Sequence, residues 1–192
     1  MRRPQHQPIM NALPNGQRGF SLFIVLIVMI IIAFLAVAAT QTYNTELRIS
    51  SNDADRKMAM ATAEAALRQG ESYIASFTNP TFTDDCTGGL CSQANQTATN
   101  VDTNEGTLTI ERGSNNNAWT RLCGDVPCLE KEKKGRIYAA PGAAKDARYI
   151  IEYINNTSGL NGNTLLFRVT ARAWGQNANT VVTVQSYVES VR

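Results

Sequence analysis

Residues Phe20–Ala39 form an unbroken apolar run in which Ser21 is the only polar residue and no side chain is charged. A helix of about 20 residues spans about 30 Å, the thickness of the hydrocarbon core of a bilayer. Because lipid offers the backbone no hydrogen-bond partner, the run must form a helix. Arg2, Arg3 and Arg18 precede it, and the positive-inside rule then predicts residues 1–19 in the cytoplasm and the rest of the chain outside.

Three interpretations of this run compete. A Sec signal peptide would be removed near Ala36-Val37-Ala38, where small residues could supply a cleavage site. A single-pass anchor would keep the run and everything before it. The third interpretation rests on the junction QRG–FSL at residues 17–22, where a short basic leader ends in glycine directly before an aromatic residue, a hydroxyl residue and leucine. This junction resembles the type IV prepilin, or class III, signal.

The resemblance implies a specific maturation. In that family a membrane-embedded prepilin peptidase cuts after the glycine, here between Gly19 and Phe20, and N-methylates the new terminal residue. The leader, residues 1–19, is removed, and residues 20–39 stay attached as a transmembrane helix.

The chain departs from the family pattern at one position. Major pilins of the family carry glutamate at the fifth residue after the cut, where this chain has Ile24. A carboxylate in lipid is costly unless it is paired, and in the family it pairs with the terminal amine of a neighbouring subunit. In the family's terms Ile24 therefore implies a minor pilin at the filament end, at or near the tip, although an isoleucine could also pack inside a filament.

Charge and histidine content exclude several classes of function. The chain has 18 Lys and Arg against 16 Asp and Glu, but three of the bases lie in the leader and the first acid is Glu46. The rest of the chain therefore lacks the excess of bases typical of a nucleic-acid-binding protein. The only histidine is His6 in the leader, so the mature chain has none for a nucleophile pair or a metal site. We expect no catalytic residue, cofactor, metal or small-molecule substrate.

The helix is predicted to continue beyond the membrane through residues 40–78. No proline lies between Pro14 and Pro80, and alanine, a strong helix former, is frequent. The whole helix from Phe20 would be about 85 Å long. Apolar side chains recur at helical period and predict an amphipathic face; they are Leu47, Ala54, Met58, Ala61 and Ala65, then Leu67, Ile74 and Phe77 on a neighbouring track.

Two further segments sharpen the resemblance. The helical stretch Ala54–Glu71, together with the leader junction, resembles the PilX/PilK group of minor pilins. The C-terminal stretches RYIIEY and FRVTARAWGQNANTVVTVQSYV are similar to PilK of that group. The resemblance covers residues 16–78 and 148–188, and only the cysteines of residues 79–147 are comparable.

Period-two alternation near the C-terminus predicts an antiparallel sheet over residues 148–188. Turns rich in Gly and Asn separate its strands, which are Arg148–Asn155, Leu165–Trp174 and Thr180–Val188. The helix is the expected cover of its apolar face. On the polar face we expect Glu152, Arg168 and Arg172 to form cross-strand charge pairs in water, with a partner-binding face as the alternative. Gly106–Arg112 is a weaker strand candidate.

The four cysteines form two C-x4-C units, Cys86 with Cys91 and Cys123 with Cys128. Gly and Pro between them favour two small local disulfide loops in an oxidising compartment. Cross-pairing remains possible, and so does a zinc site of four thiolates, although such sites usually contain C-x2-C.

These features together predict an α+β, pilin-like fold with a globular head over residues 79–192. The expected function is that of a minor pilin which helps to prime and assemble a type IV pilus. Its expected partners are other minor pilins, the major pilin and prepilin peptidase, and nucleic acid is not expected to bind. The chain would wait in the inner membrane with its head in the periplasm before joining the pilus. The alternatives are a type II secretion pseudopilin and a Sec-exported or membrane-anchored binding domain.

Overall fold

The computed structural model describes residues 20–159 and 162–192. Helix α1 covers Phe20–Ile74. The protein chain divides into two compact units, one up to Ile49 and the other from Ser50 to Arg192. All residues of α1 from Phe20 to Thr40 are exposed.

The helix ends at Ile74, four residues before the end of the predicted range at residue 78. Its last carbonyl groups need partners, as at any helix C-terminus. The guanidinium of Arg192 donates to the carbonyl oxygens of Ile74 and, at 2.6 Å, of Phe77. A cation at this position also opposes the negative end of the helix dipole.

The main sheet contains five strands. Four of them follow the order β2-β6-β7-β8, and the fifth, β5, pairs with β6 beside β2. Their bounds are β2 Leu90–Ser92, β5 Arg136–Tyr138, β6 Ala147–Gly159, β7 Gly162–Trp174 and β8 Val181–Val191. The three long strands are antiparallel, as predicted, and they extend the predicted strands at one or both ends. The sheet as a whole is mixed, because β2 runs parallel to β6.

A second, three-stranded sheet lies within the segment that precedes the main strands. Its order is β1-β4-β3, with β1 Thr81–Phe82, β3 Thr99–Thr103 and β4 Gly106–Ile110. Strand β4 falls within the predicted strand Gly106–Arg112. Its neighbour β3 pairs antiparallel with it, and β1 pairs parallel.

The helix covers the apolar face of the main sheet with small side chains. The predicted apolar stripe is not the face that packs on the sheet, because three of its members are exposed. The stripe comprised Leu47, Ala54, Met58, Ala61 and Ala65, of which Leu47, Ala54 and Ala61 are exposed. The buried helix residues are Ala59, Ala63, Ala66, Gly70 and Ile74. A Cβ on Gly70 would lie 2.6 Å from Val169 Cγ1 and 2.9 Å from Tyr149 Cδ2, so only glycine fits there. Close approach of the helix thus selects small residues, which carry little hydropathy signal.

The core between helix and sheets is closed by aromatic rings. Phe77 contacts Phe82 and Phe167 edge to face, with ring centroids 5.9 and 5.8 Å apart, a favoured geometry for aromatic pairs. Alternate residues of β7 face this core and are fully buried, as the period-two pattern implies; they are Leu165, Phe167, Val169, Ala171 and Ala173.

Candidate functional site

The first candidate site is the exposed surface of α1 from Phe20 to Ala39, which we call the apolar helix surface. Its mean hydropathy over 18 residues is 3.4, and α1 is the one helix among the described residues that is long and apolar enough to cross a membrane. Exposing each large aliphatic side chain to water costs about 1.5–3 kcal/mol relative to burying it. This surface therefore requires an apolar environment that residues 20–159 and 162–192 do not provide.

The predicted processing residues fall at the start of this surface. Gly19 and the rest of the leader lie outside the described residues. Phe20 is the first residue of α1 and is 64% exposed. Ile24 lies one helical turn further on and is 46% exposed, and it adds no charge to the apolar helix surface.

The second candidate site is the other face of the main sheet, which is covered by irregular chain. Residues 114–129 and the Cys86–Cys91 bridge, which we call the loop cover, pack over Ile150 in a cluster with Ala118, Cys128 and Leu129. The structure joins Cys86 to Cys91 and Cys123 to Cys128. This is the local arrangement, one of those that the spacing left open.

The charge pair on this face is buried, which corrects the expectation that it lies in water. Glu152 and Arg168 are cross-strand neighbours, and both Nε and Nη2 of Arg168 donate to the Glu152 carboxylate at 2.8 Å. The side chain of Glu152 is fully buried and that of Arg168 is 10% exposed. The ring of Trp119, in the loop cover, stacks on the guanidinium of Arg168, and the distance from Arg168 Cζ to the ring centroid is 4.2 Å. The loop cover excludes water from a face that alternation alone assigns to solvent.

The environment of Arg168 preserves its charge despite burial. Desolvation acts to lower the pKa of Arg168, but the hydrogen bonds and charge of Glu152 outweigh it and raise that pKa above its usual value. The Tyr187 hydroxyl accepts a further hydrogen bond from Arg168 Nη1 at 3.4 Å. Arg172 does not join this group, because its Nη1 pairs with Glu130 at 2.5 Å. A buried, doubly hydrogen-bonded pair of this kind holds the two strands and the loop cover in one arrangement.

Two charged residues outside the predicted sites hold the loop cover and the turn beside it in place. Arg121 is 4% exposed and donates to the carbonyl oxygens of Asp84 and Ser92 at 2.6 and 3.1 Å. Asp85 accepts hydrogen bonds from Lys134, Thr87 and Thr83, and Lys134 is the main reason that the pKa of this carboxyl lies well below its usual range. Neither residue belongs to a periodic pattern, so no sequence signal distinguishes them from surface charges.

Besides the apolar helix surface and the loop-covered face, the described residues include other polar clusters. No three His, Cys, Asp or Glu side chains within residues 20–159 and 162–192 lie together in a way that could hold a metal ion. The cleft lined by Asp84, Asp85, Arg121 and Lys134 carries two ion pairs, Arg121 with Asp84 and Lys134 with Asp85. The apolar helix surface is the largest exposed apolar feature of the described residues.

A long N-terminal helix, apolar and exposed at its start and lined with small residues where it meets a sheet, defines a pilin-like α+β protein. The family model "PilX N-terminal" matches residues 18–68, and the model "Type IV pilus assembly protein PilX C-term" matches residues 87–190. The chain belongs to the PilX family of type IV pilus assembly proteins, a structural rather than an enzymatic family. No curated protein and no solved structure matched the chain.

Proposed function

We propose that this chain is a minor pilin that is matured by cleavage between Gly19 and Phe20 and then helps to prime assembly of the type IV pilus. The carrying observation is the apolar helix surface, which is exposed on every side from Phe20 to Thr40. One further point supports the proposal, since the N-terminal family match begins at residue 18, beside the proposed cut.

The proposed mechanism is an exchange of environments for one surface. In the inner membrane, lipid surrounds residues 20–39, with the head in the periplasm. On assembly, the helices of neighbouring pilus subunits replace the lipid. Because both environments are apolar, the exchange has little hydrophobic driving force, and close packing between helices supplies the preference for the filament.

We further propose that this subunit sits at or near the filament tip. A carboxylate at the position of Ile24 would need a partner within the apolar environment. Isoleucine makes no such demand, so the subunit can take a place where no neighbouring terminal amine is available to pair with. A terminal place in the filament is such a position.

The test is deletion of the gene, with surface pili counted in cells whose pilus retraction is active and in cells whose retraction is blocked. A priming subunit predicts few pili when retraction is active and a partial return of pili when it is blocked. Expression of the wild-type chain should restore the count, and a Gly19→Val chain, which removes the proposed cleavage residue, should not.

Normal pilus numbers in both backgrounds would contradict the priming role. Normal pili together with impaired protein export would point instead to a type II secretion pseudopilin.

A further inference from the structure

The two edges of the main sheet differ in how they are built. At one edge, β2 and β5 have three residues each. At the other edge, β8 has 11 residues and pairs with β7 without a register shift along its whole length. No other strand of the described residues pairs with β8. One edge is therefore short and interrupted, and the other is long and regular.

The hydrogen-bond phase of β8 shows which backbone groups face the open edge. Asn163 and Arg192 exchange both of their N–H to O=C hydrogen bonds, at 2.9 and 3.0 Å, and Gly175 N–H donates to Thr180 at the other end. Antiparallel pairs alternate between hydrogen-bonded and non-hydrogen-bonded residues. The even-numbered residues of β8 therefore bond to β7. The N–H and C=O groups of the odd-numbered residues point away from β7; these residues are Val181, Thr183, Gln185, Tyr187, Glu189 and Val191.

This edge has few of the devices by which proteins usually prevent strand pairing. Such devices include proline, charged residues, especially lysine, bulges and short length. Within Val181–Val191 there is no proline and no basic residue, and Glu189 is the only charge. The inward residues Val182, Val184 and Val188 pack on the core but are only partly buried, whereas their neighbours on β7 are fully buried. A further strand beside β8 would extend the cover over these valines.

We propose that the free edge of β8 binds an extended strand of another pilus subunit and continues the main sheet across the subunit boundary. A strand is the complementary occupant because it presents N–H and C=O groups at the same alternating spacing, with side chains that match β-branched and aromatic neighbours. Another pilus subunit is the expected source because the chain belongs to a pilus assembly family. The inference rests on the proposed function, which brings subunits side by side.

The edge can be tested by photo-crosslinking in cells that make pili. A benzoylphenylalanine replaces Tyr187, which is 61% exposed and already aromatic. The crosslink is compared between chains that carry Gln185, Gln185→Ala or Gln185→Pro. Alanine and proline both remove the side-chain hydrogen bond from Gln185 to Thr170. Only proline also removes the outward N–H, and it breaks no bond to β7.

The crosslinked product should be a heterodimer whose second chain is identified by mass spectrometry as a pilus subunit, crosslinked through an extended segment. Its amount should stay near the wild-type level in Gln185→Ala. It should fall at least about tenfold in Gln185→Pro, as expected when a bond is lost and the ring blocks approach of the partner. If Gln185→Pro does not fold, Gln185→Lys, which keeps the N–H but places a charge at the edge, should lower the crosslink in its place.

Equal crosslinking in all folded variants would overturn the proposal, and so would a product made only of two copies of this chain. Normal pilus numbers in Gln185→Pro or Gln185→Lys cells, together with a loss of pili on gene deletion, would contradict this inference but not the proposed function.

Discussion

The two faces of the β6–β7 pair are covered in different ways. On one face, helix α1 lies so close to the sheet that Gly70 has no room for a side chain. On the other, the loop cover encloses the Glu152–Arg168 pair and is tied down by two short disulfide loops. The first face therefore depends on the shape of apolar surfaces, and the second on satisfied charges and covalent links. The difference predicts that the two faces respond to different substitutions.

The largest expected effect is on the loop-covered face. Glu152→Gln removes the counter-charge of Arg168 but keeps the side-chain shape, and breaking a buried pair from one side costs about 3–5 kcal/mol. We expect the free energy of unfolding to fall by that amount in urea titrations of the detergent-solubilised chain. The double variant Glu152→Leu with Arg168→Leu leaves no unpaired charge and should lose much less. An equal loss of unfolding free energy in Glu152→Gln and in the double variant would show that the unpaired charge is not the cause of the loss.

Gly70→Ala probes the helix-covered face. Alanine should stabilise a helix by about 1 kcal/mol relative to glycine. At this position, however, its Cβ overlaps the fully buried Val169, and overpacking costs about 1–3 kcal/mol. The variant should therefore be less stable than the wild type, while the exposed neighbour change Gln69→Ala should be neutral. A more stable Gly70→Ala chain would refute the close approach of helix and sheet.

Removal of one disulfide separates the faces further. Cys123→Ser with Cys128→Ser opens a short loop, for which the chain-entropy model gives about 2 kcal/mol. Hydrogen exchange should increase in residues 114–129, while the amides of β7 stay protected. Faster exchange throughout the head would mean that the loop cover and the helix-covered core unfold as one unit.

The smallest expected effect concerns Asp85, whose depressed pKa makes the loop cover sensitive to acid. A carboxyl of this kind stabilises the folded chain above its unfolded pKa of about 3.9, and that contribution is lost as the pH falls through the lower folded pKa. Because the side chain is 59% exposed and screened by solvent, we expect about 1 kcal/mol or less. Asp85→Asn should flatten the stability profile between about pH 4 and pH 2. An unchanged profile would assign the acid sensitivity to other carboxylates.

The same contrast explains how far the sequence predicts the structure. Strands β6, β7 and β8 are long and alternate strictly, so their pairing and inward faces follow from the pattern. The helix is predictable in extent, but its buried face is not, because close contact selects Ala59, Ala63, Ala66 and Gly70 over larger residues. The loop cover has no period, and therefore neither its position over Arg168 nor the role of Arg121 could be anticipated.

The short strands were missed for a related reason. Strands β1, β2 and β5 have two or three residues, too few to show alternation. They pair because the longer strands and the disulfide loops bring them alongside, which depends on contacts distant in sequence.

The claim on which the account depends is that the apolar helix remains part of the mature protein after the leader is removed. Intact-mass analysis and N-terminal sequencing of the chain recovered from membranes or sheared pili test it directly. The account predicts that the mature chain begins at Phe20 and carries an added methyl group. A chain that begins at Ala39, or one that still carries Met1, would contradict it.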